Sequence, residues 1–181
     1  MFASINTMDV TYLSPKSIRI KGKQVNLLAT AAVADKKTKV PVEATLLVGK
    51  ERSTELSEEA TGVLFQGAGE YEVRGTKITG FSMENGVMFT IHIDNLNVFV
   101  GTVSSAVQAK DKLHEHDMAI LFADEVLGQT TMGILNASVL LFVGEKAEEN
   151  AKAFDKPFQT VGKYTVTKDK LPQETEFVFL G

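Results

Sequence analysis

Along the first half of the chain, apolar and β-branched residues alternate with polar ones in brief runs closed by turn residues. A period near two is what a strand with one buried face requires. The pattern predicts strands near 8–13, 17–21 and 24–30, with Lys21-Gly22-Lys23 as a tight turn between the last two. Ala34-Asp35-Lys36-Lys37-Thr38-Lys39 follows as a solvated loop ending near Pro41. Ala44-Thr45-Leu46-Leu47-Val48, closed by Gly49, is an apolar run that suits a buried strand. Residues 54–60 read as a short helix with Thr54 as its N-cap. Further strands are predicted at 62–65, 70–74, 77–82, 87–93 and 96–101, with turns at Gly75-Thr76, Glu84-Asn85-Gly86 and Asp94-Asn95. Asn85-Gly86 is the strongest hairpin signal in the chain.

From residue 102 the period changes. Helices are predicted at 104–113, 129–136 and 145–154, alternating with strands at 118–122, 138–143, 164–167 and 175–180. A meander of strands followed by alternating helices and strands predicts an α+β chain built as a layered sandwich. At 181 residues, 44% of them hydrophobic, one domain over 1–181 is expected, with about 70% of the unfolded surface buried. There is no internal repeat, low-complexity tract or linker in the sequence.

Charge and composition remove several function classes. With 19 Lys and Arg against 23 Asp and Glu, the net charge of -4 gives no drive toward phosphate backbones, so nucleic acid is not an expected partner. Zero Cys excludes a disulfide scaffold, a thiolate zinc site, an iron–sulfur cluster and a cysteine nucleophile. The start, Met1 to Val10, shows no basic segment followed by an apolar one, and no apolar run approaches 18 residues. The expectation is a soluble, cytoplasmic chain without a membrane partner.

Motifs that carry chemistry are sparse. Gly67-Ala68-Gly69 opens like a dinucleotide loop, but the third glycine is absent and a strand follows. Gly144-Glu145-Lys146 lacks the upstream glycine of a phosphate loop. Ser104-Ser105 has no nucleophile-elbow context, and Asp124-Glu125 and Glu58-Glu59 read as surface charge. His114 and His116 are spaced to share a metal from a strand, yet they fall in a connection where His is simply solvated. His92 shares a strand face with Met88 and Thr90, opposite Phe89 and Ile91, and reads as a surface or partly packed residue.

Three stretches carry a resemblance. Tyr12-Leu13-Ser14-Pro15-Lys16-Ser17-Ile18-Arg19-Ile20-Lys21-Gly22 is similar to the opening of small metallo-β-lactamase-fold proteins. Gly67-Ala68-Gly69-Glu70-Tyr71-Glu72-Val73-Arg74-Gly75 resembles a Gly-Pro-Gly-Glu-Tyr-Glu-Val-Lys-Gly stretch of the same compact members and is the most specific of the three. Val166-Thr167-Lys168-Asp169-Lys170-Leu171-Pro172 looks like their closing strand and turn, so the similarity spans roughly 8–180. It implies an αββα sandwich and a hydrolase holding one or two metals through His-x-His-x-Asp-His, a later Gly-Asp and a His near the end.

Those ligand positions are vacant here. In the implied register, Lys50, Arg52, Thr54 and Glu55 stand for the His, His, Asp and His of the motif. Gly101-Thr102 replaces the Gly-Asp, Gly144-Glu145 the late His, and Ser14-Pro15 an early Gly-His. Zinc needs neutral imidazole or anionic ligands, and a Lys and an Arg repel it. The reading that follows is a metal-free, non-catalytic relative serving as a binding or scaffolding domain. Its partner is a protein, or a small anion at a cleft lined by Lys50, Arg52, Thr54, Glu55, Thr102 and Glu145. Pairing of Lys50 or Arg52 with Glu51 or Glu55 would fill the cleft instead. The alternative is a hydrolase whose zinc or manganese site is rebuilt from His92, His114 and His116 with Asp94 and Asp117. The apolar runs at 139–143 and 177–180 also suit a homo-oligomer.

Overall fold

The alternation of apolar and polar residues resolves into two facing β-sheets in the computed structural model, which describes residues 6–32, 41–50, 62–113, 115–128 and 135–181. β1 (Thr7–Ser14), β2 (Ser17–Lys21), β3 (Asn26–Thr30), β4 (Ala44–Leu47), β5 (Val63–Phe65) and β13 (Lys163–Thr167) form one sheet, ordered β13-β1-β2-β3-β4-β5. The other sheet combines β6 (Gly69–Val73), β7 (Thr76–Met83), β8 (Gly86–Ile93) and β9 (Leu96–Thr102) with β10 (Met118–Phe122), β11 (Val139–Val143), β12 (Phe158–Val161) and β14 (Glu176–Leu180). Its order is β12-β14-β11-β10-β9-β8-β7-β6. The β6 to β9 half is an antiparallel meander, and β9, β10, β11, β14 and β12 run parallel.

One core lies between the sheets. Met8, Val10, Ile18, Ile20, Leu27 and Leu46 meet Ile78, Phe89, Ile91, Val100, Ile120 and Leu141 across it. Phe89 is fully buried there, a contribution on the order of 2–3 kcal/mol for such a ring. A second apolar layer covers the outer face of the eight-stranded sheet. Here Met88, Phe99, Leu121, Leu140 and Phe142 pack beneath α1 (Val103–Gln108) and α3 (Ala147–Ala153). β10 and β11 are buried along their whole length because one face meets the opposite sheet and the other meets helices. The layered sandwich expected from the sequence is present. The helix expected at 54–60 lies outside the described residues.

Several expectations need correction. The helix expected over 104–113 divides at Ala109 into α1 and α2 (Lys110–Leu113). Ala106 and Ala109 both face the same apolar layer, so the burial period runs across a joint that the backbone does not. Of the helix expected at 129–136, residues 129–134 lie outside the described set, and Leu135 and Asn136 are irregular. The turn after β6 is Arg74-Gly75, not Gly75-Thr76: a two-residue turn matching the strand twist needs positive φ at both positions, and they have 50° and 76°. β12 carried no sequence signal, being a short edge strand after Pro157 with two exposed residues at its centre. No helix among the described residues is long and apolar enough to cross a membrane.

Candidate functional site

Parallel strands end at one edge of a sheet, and that edge is where open α/β sheets present ligand sites. Thr102 closes β9, Asp124 follows β10, and Gly144-Glu145 follows β11. β4 delivers Gly49 and Lys50 to the same rim. Val87 N donates to Val48 O at 3.1 Å, and the register that sets Phe89 opposite Val100, carried two residues on, brings Val87 beside Thr102. The approach is tight enough to exclude a side chain: a Cβ on Gly86, where φ is +132°, would lie 2.1 Å from Val48 O. Ser14-Pro15 closes the rim, with Pro15 O 3.3 Å from where a Cβ on Gly144 would sit. Lys16 O accepts from Ala31 N at 2.9 Å, and a Cβ on Gly49 would meet Ala31 O at 2.0 Å.

The structure therefore brings Lys50, Thr102 and Glu145 to one rim, while Arg52, Thr54 and Glu55 lie outside the described residues. Thr102 is buried and its hydroxyl caps α1, accepting from Ser105 N at 3.1 Å. The same hydroxyl gives its one hydrogen to Ser105 Oγ at 2.9 Å, and Ser104 Oγ lies 3.0 Å away. Asp124 completes the joint: Oδ1 accepts from Ser104 N at 3.1 Å and Oδ2 from the Ser104 hydroxyl. Lys146 Nζ donates to Asp124 O at 3.3 Å. Sequence alone set Asp124 aside as surface charge; only the parallel pairing of β9 with β10 places it against Ser104.

A divalent ion of the kind this architecture implies needs several imidazole or carboxylate donors aimed at one point. Among the described residues no group of three His, Asp or Glu is so arranged. At the rim, the oxygen standing where the resemblance puts a carboxylate is a hydroxyl spent on a helix cap, and Lys50 brings a cation. The described residues do not fit the metal.

His92 and His116 line a different place, a concavity of about 490 Å³ on the outer face of the eight-stranded sheet. His92 Nδ1 is 2.9 Å from Asn97 Oδ1, and His116 stands edge-on to Phe99 with ring centres 5.8 Å apart. His114 lies outside the described residues. The carboxylates considered with them have other partners. Asp94 accepts from Lys23 N at 2.9 Å, while Asp117 binds Lys168 Nζ at 2.9 Å and accepts from Asn97 N at 2.8 Å. Lys77, Thr79, Thr90 and Asn97, which line the same concavity, were not singled out from the sequence. Their signal was the period-two alternation of adjacent hairpin strands.

No protein-family model matches the chain, and no curated protein matches it. Solved structures do. A protein from Thermotoga maritima assigned as a Zn-dependent hydrolase of the metallo-β-lactamase superfamily is 16% identical, with 96% of this chain and 98% of that one covered and a TM-score of 0.68. The metallo-β-lactamase fold protein YhfI from Bacillus subtilis is 10% identical, with 96% of each chain covered and a TM-score of 0.55. Igni18, a metallo hydrolase from Ignicoccus hospitalis, is 9% identical over 97% of this chain and 96% of its own, with a TM-score of 0.53. The sheet order, the helical layer and this end-to-end similarity give the chain the metallo-β-lactamase fold.

Proposed function

We propose that the chain is a metal-free, non-catalytic protein of this fold that works as a binding or scaffolding domain. The observation that carries the reading is the Thr102 hydroxyl, committed to the N–H and hydroxyl of Ser105 where the resemblance expects a metal-binding carboxylate. Lys50 on the facing segment adds positive charge, which disfavours a divalent ion and suits a carboxylate or phosphate of a ligand or protein partner. Similar structures include proteins described as hydrolases, and the same chemistry here would require donors that the described rim does not offer.

Elemental analysis of protein incubated with excess zinc and manganese and then desalted tests this. Less than roughly a tenth of an equivalent is expected, whereas about one or two equivalents would overturn the reading, since a built site retains its ion through desalting.

A further inference from the structure

We propose a binding site for a small organic anion on the outer face of the eight-stranded sheet, in the concavity that His92 and His116 share. Across β7 and β8, Lys77 pairs directly with His92 and Thr79 with Thr90. Their neighbour Ile78 points into the inter-sheet core, so Lys77 and Thr79 point outward. Adjacent pairs on one face stand about 5 Å apart across strands and about 7 Å apart along them. An ammonium, an imidazole and two hydroxyls thus frame a rectangle of the size of a carboxylate or phosphate head.

These groups are uncommitted. Among the described residues, the Lys77 ammonium, the His92 Nε2 and the hydroxyls of Thr79 and Thr90 have no hydrogen-bond or ion-pair partner. His92 is nevertheless held in place. Asn97 Oδ1 can only accept, so His92 Nδ1 donates to it, and Nε2 is left to accept from the hydroxyl of a singly protonated phosphate head. Asn97 is anchored through its backbone N–H to Asp117, whose two oxygens Lys168 Nζ holds at 2.9 Å each. Such outer contacts are what keep a binding side chain in one orientation.

The remaining lining selects the ligand. Phe81 gives an apolar surface, and about 490 Å³ lies in the ordinary range for small-molecule sites. Glu115 adds one carboxylate to the wall, which disfavours a polyanion and leaves a compact anionic head on an apolar body as the best match. The site is separate from the rim. Asn97 and Thr102 stand five residues apart on the extended β9, roughly 17 Å.

NMR titration of the whole chain, with phenyl phosphate and inorganic phosphate as probes, tests the site. Saturable shifts at Thr79, Thr90, His92 and Asn97 are expected with phenyl phosphate, with inorganic phosphate about tenfold weaker because it lacks the apolar body. Lys77→Ala, on an exposed face, should weaken phenyl phosphate about tenfold while leaving the rest of the spectrum unchanged. The proposal falls if no saturable shift occurs, if Lys77→Ala binds as well as wild type, or if the shifts gather at Thr102, Ser104 and Lys146. It also falls if equimolar zinc is taken up by His92 and His116. Zinc bound at the rim would overturn the proposed function and leave these phenyl phosphate shifts intact.

Discussion

Asp124 holds Ser104 twice, taking the backbone N–H on one carboxylate oxygen and the side-chain hydroxyl on the other. The first turn of a helix has four N–H groups without intrahelical partners, and a carboxylate there both satisfies one of them and complements the helix dipole. At this rim the acidic side chain therefore serves the joint between β9 and α1. Asp124→Ala should lower the stability by about 1–2 kcal/mol, with Asp124→Asn recovering part because one amide oxygen still accepts. Urea unfolding checks this; equal midpoints for all three proteins would show that the pair contributes nothing.

Thr102 carries the other half of the same joint. Thr102→Ala leaves the hydroxyl and N–H of buried Ser105 short of a partner and should cost about 1–2 kcal/mol, whereas Thr102→Ser should cost under about 1. Thr102→Asp is the more telling variant, since Asp caps helices as well as Thr does. It should fold and still retain no zinc, because one restored carboxylate is not three converging donors. Zinc retained by this variant alone would mean that the rim lacked only a single ligand.

How much of this was legible in the sequence follows from what each signal measures. Period two marked the strands from β1 to β9 other than β4, which showed as an apolar run, because each has one wet or one differently covered face, as in Lys77-Ile78-Thr79. It could not divide α1 from α2, since Ala106 and Ala109 are buried alike. It could not see β12 either, an edge strand with Gln159 and Thr160 exposed. The rim residues were found through the resemblance, yet its polar network was not, because Ser104 and Asp124 are 20 residues apart and meet only through strand pairing. The concavity escaped for the same reason: Lys77, His92 and Asn97 become neighbours only once two hairpin registers are known.

The close approach that forms the rim predicts a contrast between two glycines. A Cβ at Gly49 would lie 2.0 Å from the Ala31 carbonyl oxygen, a backbone atom that cannot swing aside, while one at Gly67 would meet nothing within 4 Å. Gly49→Ala should destabilise by about 1–3 kcal/mol or more as the segment after β4 shifts. Gly67→Ala should stay within about 0.5 kcal/mol of wild type. Thermal unfolding of the two variants side by side tests the packing, and equal losses would argue against the close contact.

Asp9 on β1 gives a prediction in pH. Partial burial pushes its carboxyl up, but the Thr165 hydroxyl at 2.7 Å, the Lys163 ammonium at 3.0 Å and the charge of Lys21 outweigh this and hold it below the usual Asp range. A carboxylate whose folded pKa is depressed stabilises the fold above its unfolded value, about 3.9, and loses that contribution as the pH falls through the folded value. Lys163 is largely solvated, so screening keeps the contribution under about 1 kcal/mol. Asp9→Asn should therefore lower Tm by about 1–3 °C at neutral pH. As the pH falls through the lowered folded value the two proteins should converge, because a protonated Asp9 and the amide that replaces it are both uncharged. Melting curves across that range decide it: a gap that widens toward acid would reverse the sign and place the Asp9 pKa above the usual range.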